Sequence, residues 1–266
     1  MRDVVKKYYN ENVLLELNRL SNPYNNIEFQ TTLHMIDKYF KNTGKVLDLG
    51  CGPGRYSIEL LKKGYNVTLY DISKEQLKLA KSNIEDINLK ADEYICGDCT
   101  DLSKFDDNSF DVVLLMGPMY HITDDSLRLD VLKNIKRILK DNGFAMIAYL
   151  NGLGIIKSSI HECSFEYANI ENFSKLLVDN AWSKDDSFTE TYVATPFGAK
   201  KEIEKCGLEI ITYFGAEGFA SGIHSDVIKM HNEDKKCYNN LVDLCKHTCE
   251  LDEYRNSTEH IHFIVR

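Results

Sequence analysis

The sequence predicts an α/β fold with a doubly wound, mostly parallel sheet. Three observations predict it. Short apolar runs alternate with amphipathic helical stretches from about residue 45 to residue 150, the pattern of parallel βαβ units. A glycine turn, Gly50-Cys51-Gly52-Pro53-Gly54, joins the first run to the helix after it. The length of 266 residues and a hydrophobic content of 43% suit one large domain able to bury a sizeable core.

The elements follow in order. Val4, Tyr8, Val13, Leu14, Leu17 and Leu20 recur at helical spacing and predict one helix over 3–19. Ser21-Asn22-Pro23 breaks it. Ile27, Phe29, Leu33, Ile36 and Phe40 predict a second helix over about 26–40. Strands are expected at Lys45–Leu49, Asn66–Tyr70, Tyr94–Cys96, Phe110–Met116 and Gly143–Tyr149. Between them come helices ending at Lys63, over Lys74–Ile84 with Ser73 as N-cap, and over Ser126–Lys140. Residues 151–190 read as polar and helical, with no strand. Pro196 opens a helix ending at Cys206-Gly207, and Leu208–Phe214 is a strand. A polar helical stretch spans about 225–257, and His260–Val265 is the last strand.

Composition narrows the function. The net charge is -9 and no long Lys/Arg block occurs, which disfavours nucleic acid as a partner. No apolar run approaches the length of a membrane span. The first residues lack the apolar core of a signal peptide, so the expected compartment is cytoplasmic and the eight cysteines are expected reduced. Cys96-Gly-Asp-Cys99 has the spacing of half a zinc site, with Cys245 and Cys249 as a conceivable second pair. Cys96 ends an apolar strand pattern, however, where a small hydrophobe is expected. No metal site is therefore assigned.

Four signals fall where the strands end, and ligands of open α/β sheets sit beyond that edge. The glycine turn lets a ligand approach bare backbone, and the next helix offers unpaired N–H groups. Asp71 lies 21 residues beyond Gly50, at the end of the second strand. A carboxylate there can accept from both ribose hydroxyls. Gly97-Asp98 follows the third strand, and Met116-Gly117-Pro118-Met119-Tyr120-His121 follows the fourth.

Residues 46–57, VLDLGCGPGRYS, resemble motif I of the class I S-adenosylmethionine-dependent methyltransferases. Asp71 and Asp98 match the acidic positions after that family's second and third strands. The resemblance covers about residues 40–150. It implies a seven-stranded, Rossmann-like sheet with the last strand antiparallel, and S-adenosylmethionine as cofactor. The implied organisation is a helical cap over 1–40, a cofactor-binding core over 41–150 and a helical lid over 151–190. The end of the core then spans 191–266, with a helical insertion at about 216–258.

By the same resemblance, Asp48, Gly50, Gly52 and Gly54 surround the methionine part of the cofactor. Asp71 holds the ribose and Ile72 packs on adenine. Asp98 and Cys99 take the adenine edge, and Met116 and Gly117 border the donor methyl. Tyr9 is expected either to close over the cofactor or to pack in the core. The segment Gly-Pro-Met-Tyr-His is similar to a bacterial branch acting on small molecules. Gly117-Pro118-Met119-Tyr120 lacks the polar first residue of the Asn/Asp-Pro-Pro-aromatic motif of amino-methylating enzymes acting on nucleobases or glutamine.

The expected chemistry is in-line methyl transfer to a small-molecule O, N or S nucleophile, by a monomer or homodimer. His121 is the candidate general base, because an imidazole titrates near neutrality. Tyr120 is the candidate orienting group. Glu217 reads equally as a substrate contact or a solvated loop acid. His260 and His262, on one face of the closing strand, read as structural. The rival readings are a cofactor-binding sensor without catalysis and a nicotinamide-dependent oxidoreductase. The second would want glycine at 55, where Arg55 stands.

Overall fold

A computed structural model describes residues 2–40, 43–182 and 189–266. Three helices lead: α1 (Arg2–Glu11), α2 (Val13–Leu20) and α3 (Asn25–Tyr39). The single helix expected over 3–19 is thus two. The break falls at Asn12, whose side-chain amide and backbone N–H both donate to the Tyr8 carbonyl, each at 2.9 Å. Asparagine competes locally for backbone acceptors in this way and favours helix ends.

The alternating region gives β1 (Lys45–Leu49), α4 (Arg55–Lys62), β2 (Asn66–Asp71), α5 (Lys74–Glu85), β3 (Glu93–Cys96) and β4 (Phe110–Leu115). It continues with α6 (Asp125–Ile138) and β5 (Leu139–Leu150). Side-chain caps set several helix starts. Ser73 accepts from the Gln76 N–H at 3.1 Å, and Asp124 from the Leu127 N–H at 3.1 Å. Strand β5 begins four residues before the expected Gly143 and takes the end of the expected helix. Its pairing with β4 shifts register between Phe110 and Val112.

Beyond β5 come α7 (Gly152–Glu162), α8 (Glu171–Ser174), β6 (Asn180–Trp182), β7 (Thr191–Val193) and α9 (Pro196–Lys205). Residues 151–190 therefore do contain a strand, β6, which pairs antiparallel with β7. Three residues are too short to show an alternating pattern in sequence. Residues 183–188 of the expected lid lie outside the described residues. The chain ends with β8 (Ile210–Gly215), α10 (His224–Glu233), α11 (Lys235–Thr248), α12 (Asp252–Arg255) and β9 (His260–Val265).

The main sheet has seven strands in the order β3-β2-β1-β4-β5-β9-β8. Strand β9 runs antiparallel to both neighbours, and the β1–β5 pairings are parallel. Each face carries its own core. Leu47, Leu49, Val113, Leu115 and Ile147 pack on α6 and α9 through Val131, Ile135, Ala199 and Ile203. Val46, Val67, Leu69, Val112 and Leu114 pack on α3, α4 and α5 through Ile36, Leu60, Leu77 and Ile84. A third cluster joins Tyr24 and Ile27 at the start of α3 to Val227, Tyr238 and Val242 of α10 and α11. The 216–258 insertion is thus packed against the N-terminal helices.

Candidate active site

A pocket opens beyond the carboxyl ends of β1–β4, roofed by α1, α2 and α3. Its geometry starts at the turn after β1. Gly50 has φ +72°, and a Cβ there would come within 2.5 Å of Pro118 Cγ. The Gly50 N–H donates to the Tyr70 carbonyl at 2.7 Å, tying the turn to β2. Gly52 has φ +52°, and nothing lies within 4 Å of where its Cβ would project. That open, left-handed position in the wall is a cradle for a ligand against bare backbone.

Asp71 ends β2 and is buried. Its Oδ2 accepts from the Gly52 N–H at 2.9 Å and its Oδ1 from the Ser73 N–H at 2.7 Å. Burial pushes its carboxyl up to about 6, against the pull of those two N–H groups. Ile72, Asp98 and Cys99 share the wall. Asp98 Oδ1 accepts from the Thr100 N–H at 2.9 Å and from the Thr100 hydroxyl at 2.8 Å, which fixes the carboxylate after β3. Gln76 also lines the pocket; it is 1% exposed, and its Oε1 has no hydrogen-bond partner. Among expected cofactor residues, Asp48 and Gly54 stand behind the wall. Asp48 accepts from the Ser57 hydroxyl at 2.6 Å, and burial raises its carboxyl to about 6. Gly54 caps α4 with φ +81° and packs toward Ala80.

Met116, Gly117, Tyr120 and His121 line the far side, below α1. Tyr9 of α1 donates its hydroxyl to His121 Nε2 at 2.9 Å. His121 Nδ1 lies 3.1 Å from the Thr189 hydroxyl and 3.4 Å from the Glu190 carbonyl. A carbonyl only accepts, so this geometry favours the tautomer protonated at Nδ1. Burial lowers the His121 pKa to about 4, so the ring is neutral at physiological pH. The Tyr120 hydroxyl is buried, which raises its pKa.

Two expectations change here, and the largely apolar pocket also carries charged groups: Glu16, Arg19, Glu28, Arg55 and His260 all line it. The inserts 151–190 and 216–258 contribute no wall residue among those described; the roof comes from the N-terminal helices. His260 is not merely structural, because it faces the pocket. Its Nδ1 donates to Glu217 Oε1 at 2.7 Å, and its backbone N–H donates to Glu217 Oε2 at 3.2 Å. Burial would lower the His260 pKa, but Glu28 and Glu217 lift it to about 10. Glu217, 2% exposed, stands behind His260 rather than in the pocket. Gln76 had a sequence signal, three residues past the N-cap Ser73 on a helix after an acidic strand end. The charged roof had none, since its residues alternate with core positions on α2 and α3.

A seven-stranded sheet with a reversed strand beside its edge, a glycine turn after β1 and an acid ending β2 together give the fold of the nucleoside-cofactor methyltransferases. The fold and the comparisons support a class I S-adenosylmethionine-dependent methyltransferase family for this chain. Residues 46–143 match the family model described as "Methyltransferase domain". One relative is the "Putative ribosomal RNA large subunit methyltransferase" of Methanocaldococcus jannaschii. It is 31% identical over 173 residues, which are 63% of this chain and 38% of that protein. Another is the ubiquinone biosynthesis O-methyltransferase of Pelagibacter ubique, 35% identical over 115 residues, 43% of this chain and 45% of that one. The chain thus spans less than half the length of these two relatives. A crystal structure of an S-adenosylmethionine-dependent methyltransferase from Clostridium acetobutylicum has the same fold. The TM-score is 0.57 at 15% identity, covering 94% of each chain.

The wall suits that family's cofactor. The orphaned Gln76 Oε1 and the Asp71 carboxylate offer acceptors for ribose hydroxyls, and the open face of Gly52 admits a ligand beside them. Among the described residues, no group of His, Cys, Asp and Glu could hold a metal ion, and no helix is long and apolar enough to cross a membrane.

Proposed function

We propose that the protein transfers a methyl group from S-adenosylmethionine to a small-molecule acceptor in the cytoplasm. The observation that carries the reading is the roof. Tyr9 of α1 is hydrogen-bonded to His121 across the pocket, so the space beyond Met116 and Gly117 is covered by the chain's own helices. A covered pocket suits a compact acceptor better than a duplex. The net charge of -9 argues the same way, because phosphate backbones call for basic surfaces. One relative is named for ribosomal RNA and another for ubiquinone biosynthesis, so relatedness does not choose between these classes.

When bound, the cofactor supplies a methyl carbon already activated on a sulfonium sulfur. What remains for the protein is alignment and exclusion of water. Asp71, Asp98 and the glycine turn hold the nucleoside. Met116 and Gly117 border the reacting carbon, and Tyr120 orients the acceptor. An acceptor O–H must lose its proton. His121 is neutral and able to take it, but Tyr9 occupies Nε2. In this reading the proton passes by way of the Tyr9 hydroxyl, or to His121 once α1 shifts.

The test is calorimetry with S-adenosylhomocysteine, followed by transfer of labelled methyl from S-adenosylmethionine. Acceptors are a metabolite extract below 1 kDa and, separately, total ribosomal and transfer RNA. Label in the small-molecule fraction supports the reading. Label in RNA overturns the acceptor class, and no binding of S-adenosylhomocysteine overturns the reading itself.

A further inference from the structure

His260 stands on the side of the pocket away from the nucleoside wall. Along the carboxyl edge the order is β3-β2-β1-β4-β5-β9. Asp98, Cys99 and Asp71 lie at β3 and β2, and Met116 and Gly117 follow β4. His260 opens β9 opposite Leu150 at the end of β5, so it lies beyond β4 as seen from Asp71. Its ring centre is 6.5 Å from that of Tyr120.

One side of this ring is engaged and the other is free. Nδ1 donates to Glu217 Oε1 at 2.7 Å, and the His260 backbone N–H donates to Glu217 Oε2 at 3.2 Å. The whole Glu217 carboxylate thus serves one residue. Among the described residues Nε2 has no hydrogen-bond partner, and it is not sealed off, because the side chain is 21% exposed and lines the pocket. Burial would lower the His260 pKa, but Glu28, Glu217 and Glu259 lift it to about 10, so Nε2 carries a proton at neutral pH. The other two carboxylates are met elsewhere: Glu28 by His262 Nε2 at 3.5 Å and by Arg55, Glu259 by the Tyr24 hydroxyl and the Gly222 N–H.

Arg19 of α2 repeats the arrangement. Its Nε donates to Glu16 Oε2 at 2.9 Å and its Nη2 lies 2.9 Å from the same oxygen, while Glu16 Oε1 accepts from the Tyr8 hydroxyl at 3.0 Å. Among the described residues Nη1 has no partner. Arg19 lines the pocket near enough to Tyr9 and Tyr120 to act on both electrostatically. In both places a carboxylate holds the cation from the protein side, and an N–H is left over for an occupant. A donor withdrawn from water without an acceptor is costly, and a charged donor pairs most strongly with an anion. Glu28 and Glu217 stand close by, which suits a single negative charge better than the nearly two of a phosphate monoester.

We propose that His260 recognises the methyl acceptor by donating Nε2–H to a carboxylate that the acceptor carries, with Arg19 as a second donor near Tyr120. The inference rests on the methyl-transfer reading above and narrows its acceptor class to small carboxylic acids.

For the test, the small-metabolite extract is divided by anion exchange into anionic and non-anionic pools, and each is incubated with the enzyme and labelled S-adenosylmethionine. Label should enter the anionic pool and should survive prior phosphatase treatment of that pool. It should fall at least roughly tenfold when the carboxylates are first converted to amides with carbodiimide and methylamine. His260→Gln should raise the KM for the labelled acceptor roughly tenfold, and Arg19→Met should raise it too, with S-adenosylhomocysteine affinity changed by less than about twofold. Thermal unfolding checks that the variants fold. If His260→Gln does not, the double variant His260→Gln/Glu217→Gln takes its place, since it leaves no unpaired buried carboxylate. Label chiefly in the non-anionic pool, label lost on phosphatase treatment, no label in either pool, or an unchanged KM in the folded His260 variant overturns the proposal. Calorimetry with S-adenosylhomocysteine on the same preparation tells the two readings apart: binding leaves the cofactor reading standing, and no binding removes both.

Discussion

Lowering the pH from 8 to 5 should weaken S-adenosylhomocysteine binding through Asp71. Burial raises this carboxyl from 3.8 to about 6, even though Gly52 and Ser73 donate to it. Above about pH 6 the carboxylate is charged and accepts strongly from ribose hydroxyls. One unit below that value roughly nine molecules in ten carry the proton, so affinity should fall about tenfold, ~1.4 kcal/mol. The sign for the empty protein is opposite. A raised folded-state value means that ionised Asp71 costs stability; the cost is absent below the unfolded value and develops as pH rises through 6. A shift of two units corresponds to about 3 kcal/mol, as an order of magnitude. Asp71→Asn should bind S-adenosylhomocysteine about 1.5–3 kcal/mol more weakly. Asparagine is the better probe, because its one oxygen keeps an acceptor for Gly52 or Ser73, where alanine would orphan both N–H groups. Calorimetry across the pH range reads the affinity, and thermal unfolding reads the stability. Asp48 is also raised to about 6, so the variant must lose the pH slope. A flat wild-type profile, or a slope that persists in Asp71→Asn, would refute the assignment.

Other expectations follow from the same geometry. Gly52→Val should fold, because nothing lies within 4 Å of a Cβ added there. Its left-handed φ costs about 1–2 kcal/mol, and S-adenosylhomocysteine binding should vanish, with retained binding placing the ligand elsewhere. Hydrogen exchange should show cofactor-dependent protection in α1 and α2 but little in 224–255, since only the former roof the pocket; protection confined to the glycine turn would reject the roof as a lid. His121 is neutral above about pH 5, so the rate with saturating cofactor should show no inflection from an imidazole between pH 6 and 7.5. An inflection there that disappears in His121→Gln would contradict the burial argument.

What was legible in the sequence follows from how local its cause is. Strands β1 and β2 are buried on both faces of a parallel sheet, so they read as unbroken apolar runs with sharp ends. The glycine turn and Asp71 lie at those ends, and their places follow from chain order alone. The break at Asn12 was hidden because the apolar spacing continues through it. Strand β6 has three residues and pairs only with β7, so nothing periodic announces it. The pocket's charged roof was illegible for a different reason. Glu28 lies on a helix whose neighbours Ile27, Thr31 and Met35 are core residues, and only tertiary packing says which face meets the pocket.

His260 shows most clearly why the far wall escaped a reading by strand ends. In a parallel sheet the residues that follow each strand collect at one edge, and that rule selects Asp71, Asp98 and Gly117, all of which line the pocket. Strand β9 runs the other way, pairing Leu150 with His260 at one end and Ala145 with Val265 at the other. Its first residue, not its last, therefore reaches the edge where β5 finishes. The reversal carries a histidine from near the end of the chain to the mouth of a pocket whose glycine turn lies more than two hundred residues earlier. Glu217, just past β8, reaches the same edge because β8 is parallel to β5, and it fixes His260 through both its ring and its backbone N–H. The sheet's one reversed strand thus places a carboxylate-paired imidazole in the wall of the covered pocket, where a doubly wound sheet of parallel strands alone would have ended in a loop.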